Sequence, residues 1–407
     1  MMILVPAVAA LLAYVLGRLR AELSFIGSVL PLYFAVRLFL QSRHDVIVFT
    51  VLQRAGIQVA FRLDSLSGFV LLFTAIFGVL ILLYSLRSMR GHPGARGFYV
   101  YSLLTLACAF GALLAANLLV LAFFWGCLLV LVYGLLLVSR GDGQPAATKA
   151  LVIVGLSDFA LLLGVALLVV RGGWIDLVPP VAMRLSEPSA ILAFLLVAVG
   201  ALAKAGSMPL HSWIPTASET SPATVMALVP ASLDKLLGIY LLTRLSVYVF
   251  DISSNMTLRT VFMAVGSVTV LAAVMMALVQ KRVMRLLAFH AVSQVGYMVI
   301  GIGTGVPVGI AGGLFHMLNH ALYKTGLFLT AGSVYSQSKT DKIDELGGLA
   351  GKMPLTFATF LLCPLGQRAV GWDAEAVDGW IEQRIAEAEG HSFFHINRAA
   401  SEVGLLP

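Results

Sequence analysis

Apolar runs of about twenty residues recur along most of this chain, and that feature limits its fold more than any other. A bilayer core about 30 Å thick takes about 20 helical residues per crossing, and no water is present there to pair stray backbone groups. Closely spaced runs of this length fold as a bundle of membrane-spanning helices. Composition agrees: 59% of the 407 residues are hydrophobic and 12% charged, against roughly 45–50% and 25% in a soluble domain. The connections between runs are too short to hide a soluble catalytic domain. The net charge of +7 is distributed among loops and does not form a nucleic-acid-binding face.

The runs place spans at about 2–16, 23–40, 66–86, 98–116, 117–138, 149–170, 188–208, 222–247, 257–279, 284–304 and 307–335. The expected fold is therefore an all-α polytopic membrane protein with about eleven transmembrane helices. Alternate loops carry clustered cations: Arg18 and Arg20; Arg87, Arg90 and Arg96; Arg140 and Lys149; Lys281, Arg282 and Arg285. The bias of cations towards the cytoplasm puts that side inside and the N-terminus outside an inner membrane. Arg43, Arg54 and Arg62, on the other side, weaken the bias without reversing it. The first run has its cations after the apolar stretch, unlike a cleavable signal peptide, and reads as a retained span. Cys108, Cys127 and Cys363 lack metal or disulfide spacing and read as core residues.

After Leu362 the character changes. The stretch 353–365 is too short to span comfortably, and 366–407 is a polar tail. In it Val377, Trp380, Ile381 and Ile385 recur at the spacing of a short amphipathic helix outside the membrane core.

An ionisable side chain at the centre of a span costs about 2.5–3.5 kcal/mol on insertion scales, so each one is a functional candidate. Asp158, Lys204, Asp234 with Lys235, and His316, His320 and Lys324 form a small, ordered set. The last three follow an i, i+4, i+8 pattern, which stacks two imidazoles and an ammonium on one helix face about a turn apart. Neighbours at that pitch can pass a proton directly or through one water, and histidine titrates near neutral pH. The alternative is that these groups simply bond neighbouring helices. Metal binding by His316 and His320 lacks a third ligand nearby, so no metal is expected.

Lys204 precedes Gly206 and Pro209, which interrupt the helical hydrogen-bond ladder. A helix broken at membrane depth frees backbone polar groups and marks ion sites in transporters. The competing reading ends the helix there, with Lys204 snorkelling to the interface. His211, Trp213, Pro215 and Glu219 complete the broken segment. Asp234 and Lys235 stand about 100° apart round a helix and need not pair with each other.

Several stretches together resemble the antiporter-like subunits shared by respiratory complex I, Mrp-type sodium/proton antiporters and group 4 membrane-bound hydrogenases. They are FRLDSLSGF at 61–69, KALVIVGLSDFALLLG at 149–164, AKAGSMPLHSWIPTASETSPATVMAL at 203–228, RLLAFHAVSQVGYM at 285–298, LFHMLNHALYKTGLFLTAGSV at 314–334 and IDELGGLAGKMPLTFATFL at 343–361. The resemblance implies two inverted five-helix repeats, each with a broken helix, joined by a polar axis at the midplane. Here 1–97 would be preceding helices, 98–247 the first repeat, and 257–365 a second, incomplete one. It implies that Lys204 is the shuttling lysine of the first half-channel, that His316, His320 and Lys324 form the connecting row, and that Asp158 matches an aspartate of the largest complex I antiporter-like subunits.

The chain departs from the pattern at three places. Trp125 is followed by Gly126 where the family usually has a glutamate that modulates the lysine; Asp158 or Asp234 could substitute. Pro230 stands where a histidine usually precedes the eighth-helix lysine, and Lys235 is offset by one position. The match ends after Leu361, before the second broken helix.

The leading expectation is a proton- or sodium-translocating subunit of a redox-driven complex, with no cofactor of its own. No haem, flavin or iron–sulfur ligand pattern occurs in the sequence. Electrons would run in a peripheral redox module beside other membrane subunits and lipid. Two alternatives stand: a separate sodium/proton antiporter, which the sparse carboxylates oppose, and a non-conducting structural anchor.

Overall fold

The computed structural model describes residues 1–42, 46–54, 57–139, 141–172, 177 and 183–369. The tail with Val377, Trp380, Ile381 and Ile385 lies outside the described residues, as do Arg43 and Arg140.

The apolar runs become helices. In chain order these are α1 (Leu4–Val15), α2 (Arg20–Gln41), α3 (Ser65–Ser88), α4 (Ala95–Leu114), α5 (Leu118–Leu137), α6 (Gln144–Gly172), α7 (Pro188–Ala205) and α8 (Trp213–Thr220). The largely helical span Ala223–Val249 is α9. Then follow α10 (Met256–Leu278), α11 (Val283–Gly303), α12 (Pro307–Ser338) and α13 (Pro354–Ala369). Among the described residues, nine helices are long and apolar enough to cross a membrane, fewer than the eleven expected. Helix α1 has only 12 residues, about 18 Å of rise, which falls short of a bilayer core. Helix α12 has 32 residues, ample in length, but its polar residues dilute the apolar run. The expected span 2–16 thus forms a shorter apolar helix than expected. The bundle is a polytopic helical membrane protein.

The expected all-α class holds, and one small element that was not expected accompanies the helices. Strands β1 (Ile47–Arg54) and β2 (Ile57–Leu63) form an antiparallel hairpin, with Ile47 opposite Leu63 and Arg54 opposite Ile57. The segment is rich in β-branched residues, which favour strands. Its first strand is apolar on both faces, so the two-residue alternation that betrays a half-buried strand is missing.

Local chemistry sets the helix starts. Asp64 caps α3 by accepting from the Ser67 N–H at 2.8 Å, while the Ser67 hydroxyl accepts from the Asp64 N–H at 2.9 Å. Asn117 and Asn255 cap α5 and α10 by accepting from the Val120 and Leu258 N–H groups, and prolines stand at the first positions of α7 and α12. Inside lipid, helices associate through close packing of small residues. A Cβ on Gly266 of α10 would lie 2.7 Å from the Gly296 carbonyl oxygen of α11, so glycine lets these two backbones approach.

Alternating spans leave two faces. On the hairpin face, the chain before α5 joins β2 through Ala116 N–H to the Ala60 carbonyl at 3.1 Å. Strand β3 (Met183–Arg184) pairs in parallel with β4 (Phe250–Asp251). The opposite face carries most of the clustered cations; there Val283 donates to the Asp341 carbonyl and Ile343 to that of Lys281, both at 2.9 Å. Helix α9 is the axis of the bundle, and its apolar window is wholly buried.

Candidate functional site

The helix break falls where Gly and Pro interrupt the apolar run. Helix α7 ends at Ala205, and Gly206 takes a left-handed φ of 81°, a conformation costly for a residue with a Cβ. Gly206 and Ser207 N–H groups turn back to the Leu202 carbonyl, both at 2.9 Å, closing the end as a glycine cap does. Thr269 of α10 braces the break: its hydroxyl accepts from Met208 N–H at 3.2 Å and lies 3.2 Å from the Ser207 hydroxyl. Trp213 and Pro215 begin α8 and are buried. The His211 Nδ1 and Trp213 Nε1 atoms are buried without a hydrogen-bond partner in the protein. Glu219, at the far end of α8, pairs with Arg285 at 2.7 Å.

Lys204 is 2% exposed and sits in the last turn of α7, so it does not snorkel to the interface. Its Nζ lies 4.8 Å from the centroid of the Trp125 ring, a cation–π contact worth about 2 kcal/mol when desolvated. The Trp125 indole N–H donates to Asp158 Oδ1 at 2.9 Å. Asp158 and Asp234 are both within electrostatic reach of Lys204. Four elements thus bring an indole, a base and two acids together: α5, α6, α7 and α9.

Helix α9 departs from a regular α-helix just before Lys235. Residues Ala227–Leu233 form a π-helical turn containing Pro230. Such a turn absorbs one extra residue into a helix, and proline favours it by lacking an N–H. The Ser232 hydroxyl donates to the Ala227 and Leu228 carbonyls at 2.9 and 2.8 Å. Beyond this turn Lys235 is fully buried with no hydrogen-bond partner at Nζ. That atom faces the break, only 3.1 Å from where a Cβ on Gly206 would stand. A tethered ammonium therefore points at the carbonyl end of the broken helix, where the helix dipole favours positive charge.

His316, His320 and Lys324 line one side of α12. His320 lies within electrostatic reach of Lys235, Lys324, His316 and His290. Both ring nitrogens of His320, Nε2 of His316 and Nζ of Lys324 are buried without protein partners. Buried polar groups in folded proteins are almost always paired with protein or water. The row from Asp158 to Lys324 holds three lysines against two aspartates, and an unpaired interior charge is costly. Proton occupancy at one position consequently alters the cost at its neighbours. Among the described residues no group of three or more His, Cys, Asp or Glu side chains could hold a metal ion.

Sequence reasoning missed three parts of this picture. His290, on α11, packs edge-on against Tyr323 at 6.4 Å between ring centroids; as a histidine inside an expected span, it carries the same signal as His316. Trp125 stands out in the sequence only for its neighbour, and nothing in its spacing points to Asp158. On the hairpin face, Asp64 is gripped by both Arg62 and Arg244 with all three side chains buried. Arg244 lies in the expected span 222–247, and its charge there is a signal of the same kind.

The sequence matches the family described as NADH:quinone oxidoreductase/Mrp antiporter, transmembrane, over residues 115–374. It is 31% identical over 365 residues to chloroplastic NAD(P)H-quinone oxidoreductase subunit 5 of Poa pratensis, covering 82% of this chain and 50% of that protein. It is 32% identical over 314 residues to NADH-quinone oxidoreductase subunit N of Desulforudis audaxviator, covering 74% and 62%. The chain thus spans about half the length of the first of these relatives. Its fold is similar to a chain of the Mrp complex from Dietzia sp. DQ12-45-1b, with a TM-score of 0.81 and 26% identity over 89% of this chain and 69% of that one. A chain of an archaeal membrane-bound sulfane sulfur reductase shares the fold at a TM-score of 0.80 and 24% identity, covering 96% and 82%. Both structures are of multisubunit membrane complexes. With the matched region covering more than half of its length, the chain belongs to the NADH:quinone oxidoreductase/Mrp antiporter membrane family.

Proposed function

We propose that this chain is a proton-translocating membrane subunit of a redox-driven complex. The observation that carries the reading is the buried line of ionisable groups running from Asp158 and Lys204, through Asp234 and Lys235, to His320 and Lys324, with the half-buried His316 one turn further along α12. An ionisable group inside a membrane protein is costly and tends to mark an ion or proton path. Lys235 supports protons over sodium, since the tip of its side chain already stands at the break where a bound cation would otherwise sit.

In this reading Lys204 is the proton carrier, Asp158 and Asp234 tune it by opposite charge, and the α12 row links it to the rest of the axis. Residues 98–247 act as the first of two inverted repeats, 257–365 belong to the second, and 1–97 precede both. The subunit sits in a cytoplasmic membrane with its cation-rich loops inside and its N-terminus outside. Other membrane subunits and a peripheral redox module supply the electrons. The decisive experiment compares proton uptake in vesicles holding the assembled complex with and without Lys204→Ala. Redox-driven uptake is expected to fall at least tenfold while the complex still assembles; normal uptake by the assembled variant would overturn the role of Lys204.

A further inference from the structure

The two faces of the bundle are closed by different means. On the hairpin face, Arg62 and Arg244 hold Asp64 with every partner buried, and Arg62 also donates to the Leu177 carbonyl. Arg244 belongs to the axial helix α9, so opening this end would strand charges in the interior. On the cation-rich face the comparable ion pairs are Arg282 with Asp341 at 3.0 Å and, open to water on both sides, Arg285 with Glu219 at 2.7 Å, with side chains 42% and 37% exposed. Exposed pairs of this kind are weak and readily exchanged for water.

Glu219 of that pair also lines a cavity of about 220 Å³, whose wall includes Thr220, Ser221, Met284, Tyr335 and Asp341. The Thr220 and Ser221 hydroxyls are buried without protein partners. Further into the bundle, the same holds for the Thr325 hydroxyl, His290 Nδ1 and Lys324 Nζ. Helices α11 and α12 run antiparallel, with His290 beside Tyr323 and Tyr297 beside His316. That register sets Met284 towards the cation-rich end and places His290 between the cavity and His320. A series of unpaired buried polar atoms that starts in a cavity and ends at an ionisable row is what a hydrated passage requires.

We propose that this cavity is the proton access port of the chain, with the Arg285–Glu219 pair as its cover and His290 as the first relay inside it. The proposal rests on reading the row as a proton path and adds the side from which it fills. When the pair opens, the Glu219 carboxylate takes a proton from bulk water and releases it to water in the cavity. The His290 imidazole accepts that proton at Nδ1 and passes it on to Lys324 or His320, returning to its neutral form. The buried arginine cluster keeps the opposite end closed.

Access is tested in the assembled complex, with Cys108, Cys127 and Cys363 replaced by Ala and Ser221→Cys introduced. A membrane-impermeant methanethiosulfonate is applied to vesicles of either orientation. Labelling is expected from the cation-rich face alone, and several-fold faster when Glu219→Gln removes the cover; Arg285→Gln serves if the first variant does not assemble. Labelling from the hairpin face, or none from either face with the cover removed, would overturn the port. His290→Ala is expected to slow proton uptake at least fivefold with labelling unchanged, and unaltered uptake would remove His290 from the path. Labelling needs no transport, so failure of the port stays separate from failure of the translocation reading, which Lys204→Ala decides.

Discussion

Trp125 on α5 donates its indole N–H to Asp158 on α6 at 2.9 Å, while the face of the same ring meets Lys204 Nζ at 4.8 Å. One side chain thus holds both the acid and the base of the candidate site. Gly126, where the resembling subunits usually carry a glutamate, is on the exposed side of α5, and a Cβ there would meet nothing within 4 Å. Asp158, anchored from the neighbouring helix, is one of two aspartates in electrostatic reach of Lys204, the other being Asp234.

Asp158→Asn keeps an oxygen to accept from Trp125 and removes the charge that faces Lys204. It is expected to leave thermal stability in detergent nearly unchanged and to lower redox-driven proton uptake at least tenfold. Asp158→Ala also strands a buried indole N–H, which costs about 1–3 kcal/mol, and a fall in the melting temperature reports it. Full uptake in Asp158→Asn would mean that Asp158 merely anchors Trp125.

Gly206→Ala tests the break. The backbone there is left-handed, at a φ of 81°, which costs about 1–2 kcal/mol for a residue with a Cβ. The new methyl would also press on Ile214 and stand 3.1 Å from Lys235 Nζ. A loss of stability of about that size is expected, together with impaired proton uptake. A variant as stable and as active as the parent would show that neither the turn nor the approach of Lys235 matters.

How much of this was legible depended on range. Helices were readable because each apolar run carries its own signal, and most expected spans end within a few residues of the observed helices. Helix α1 is shorter than its apolar run because composition does not fix where a helix ends. The β1–β2 hairpin was missed because a strand apolar on both faces shows no alternation. His316, His320 and Lys324 share one helix, so their spacing revealed their common face. Asp158, Trp125 and Lys204 lie on three helices, and only tertiary packing brings them together. The π-helical turn around Pro230 resets the register of α9, which spacing rules based on a regular helix cannot anticipate.

The cluster on the hairpin face gives the fold an acid-sensitive clamp. Burial pushes the Asp64 carboxyl up, but the Arg244 and Arg62 guanidiniums and the Ser67 N–H outweigh it and hold the group at about 2. That is below the value near 3.9 of an unfolded chain, so Asp64 contributes stability above pH 4 that is lost as pH falls from about 4 towards 2. Asp64→Asn would leave two buried guanidiniums without a counter-ion, at a cost of about 3–5 kcal/mol. The variant is expected to melt lower at pH 7 and to lose less stability than the parent between pH 4 and 2. Identical acid profiles for the two proteins would exclude Asp64 as the titrating clamp.

The α12 row separates conduction from packing. His320 and Ala321 are both fully buried, one position apart on the helix. Because Ala321 is enclosed, only a small change such as Ala321→Ser fits there, and it adds a hydroxyl on a different side from the row. His320→Ala removes the group that stands within electrostatic reach of both Lys235 and Lys324. It is expected to reduce proton uptake at least tenfold at unchanged electron input, whereas Ala321→Ser stays within twofold of the parent. His320→Gln retains polar atoms but cannot accept and release a proton near neutral pH, so it should behave like His320→Ala. Full activity in His320→Gln would indicate that a hydrogen-bonding strut suffices at this position and that protons take another course between α9 and α12.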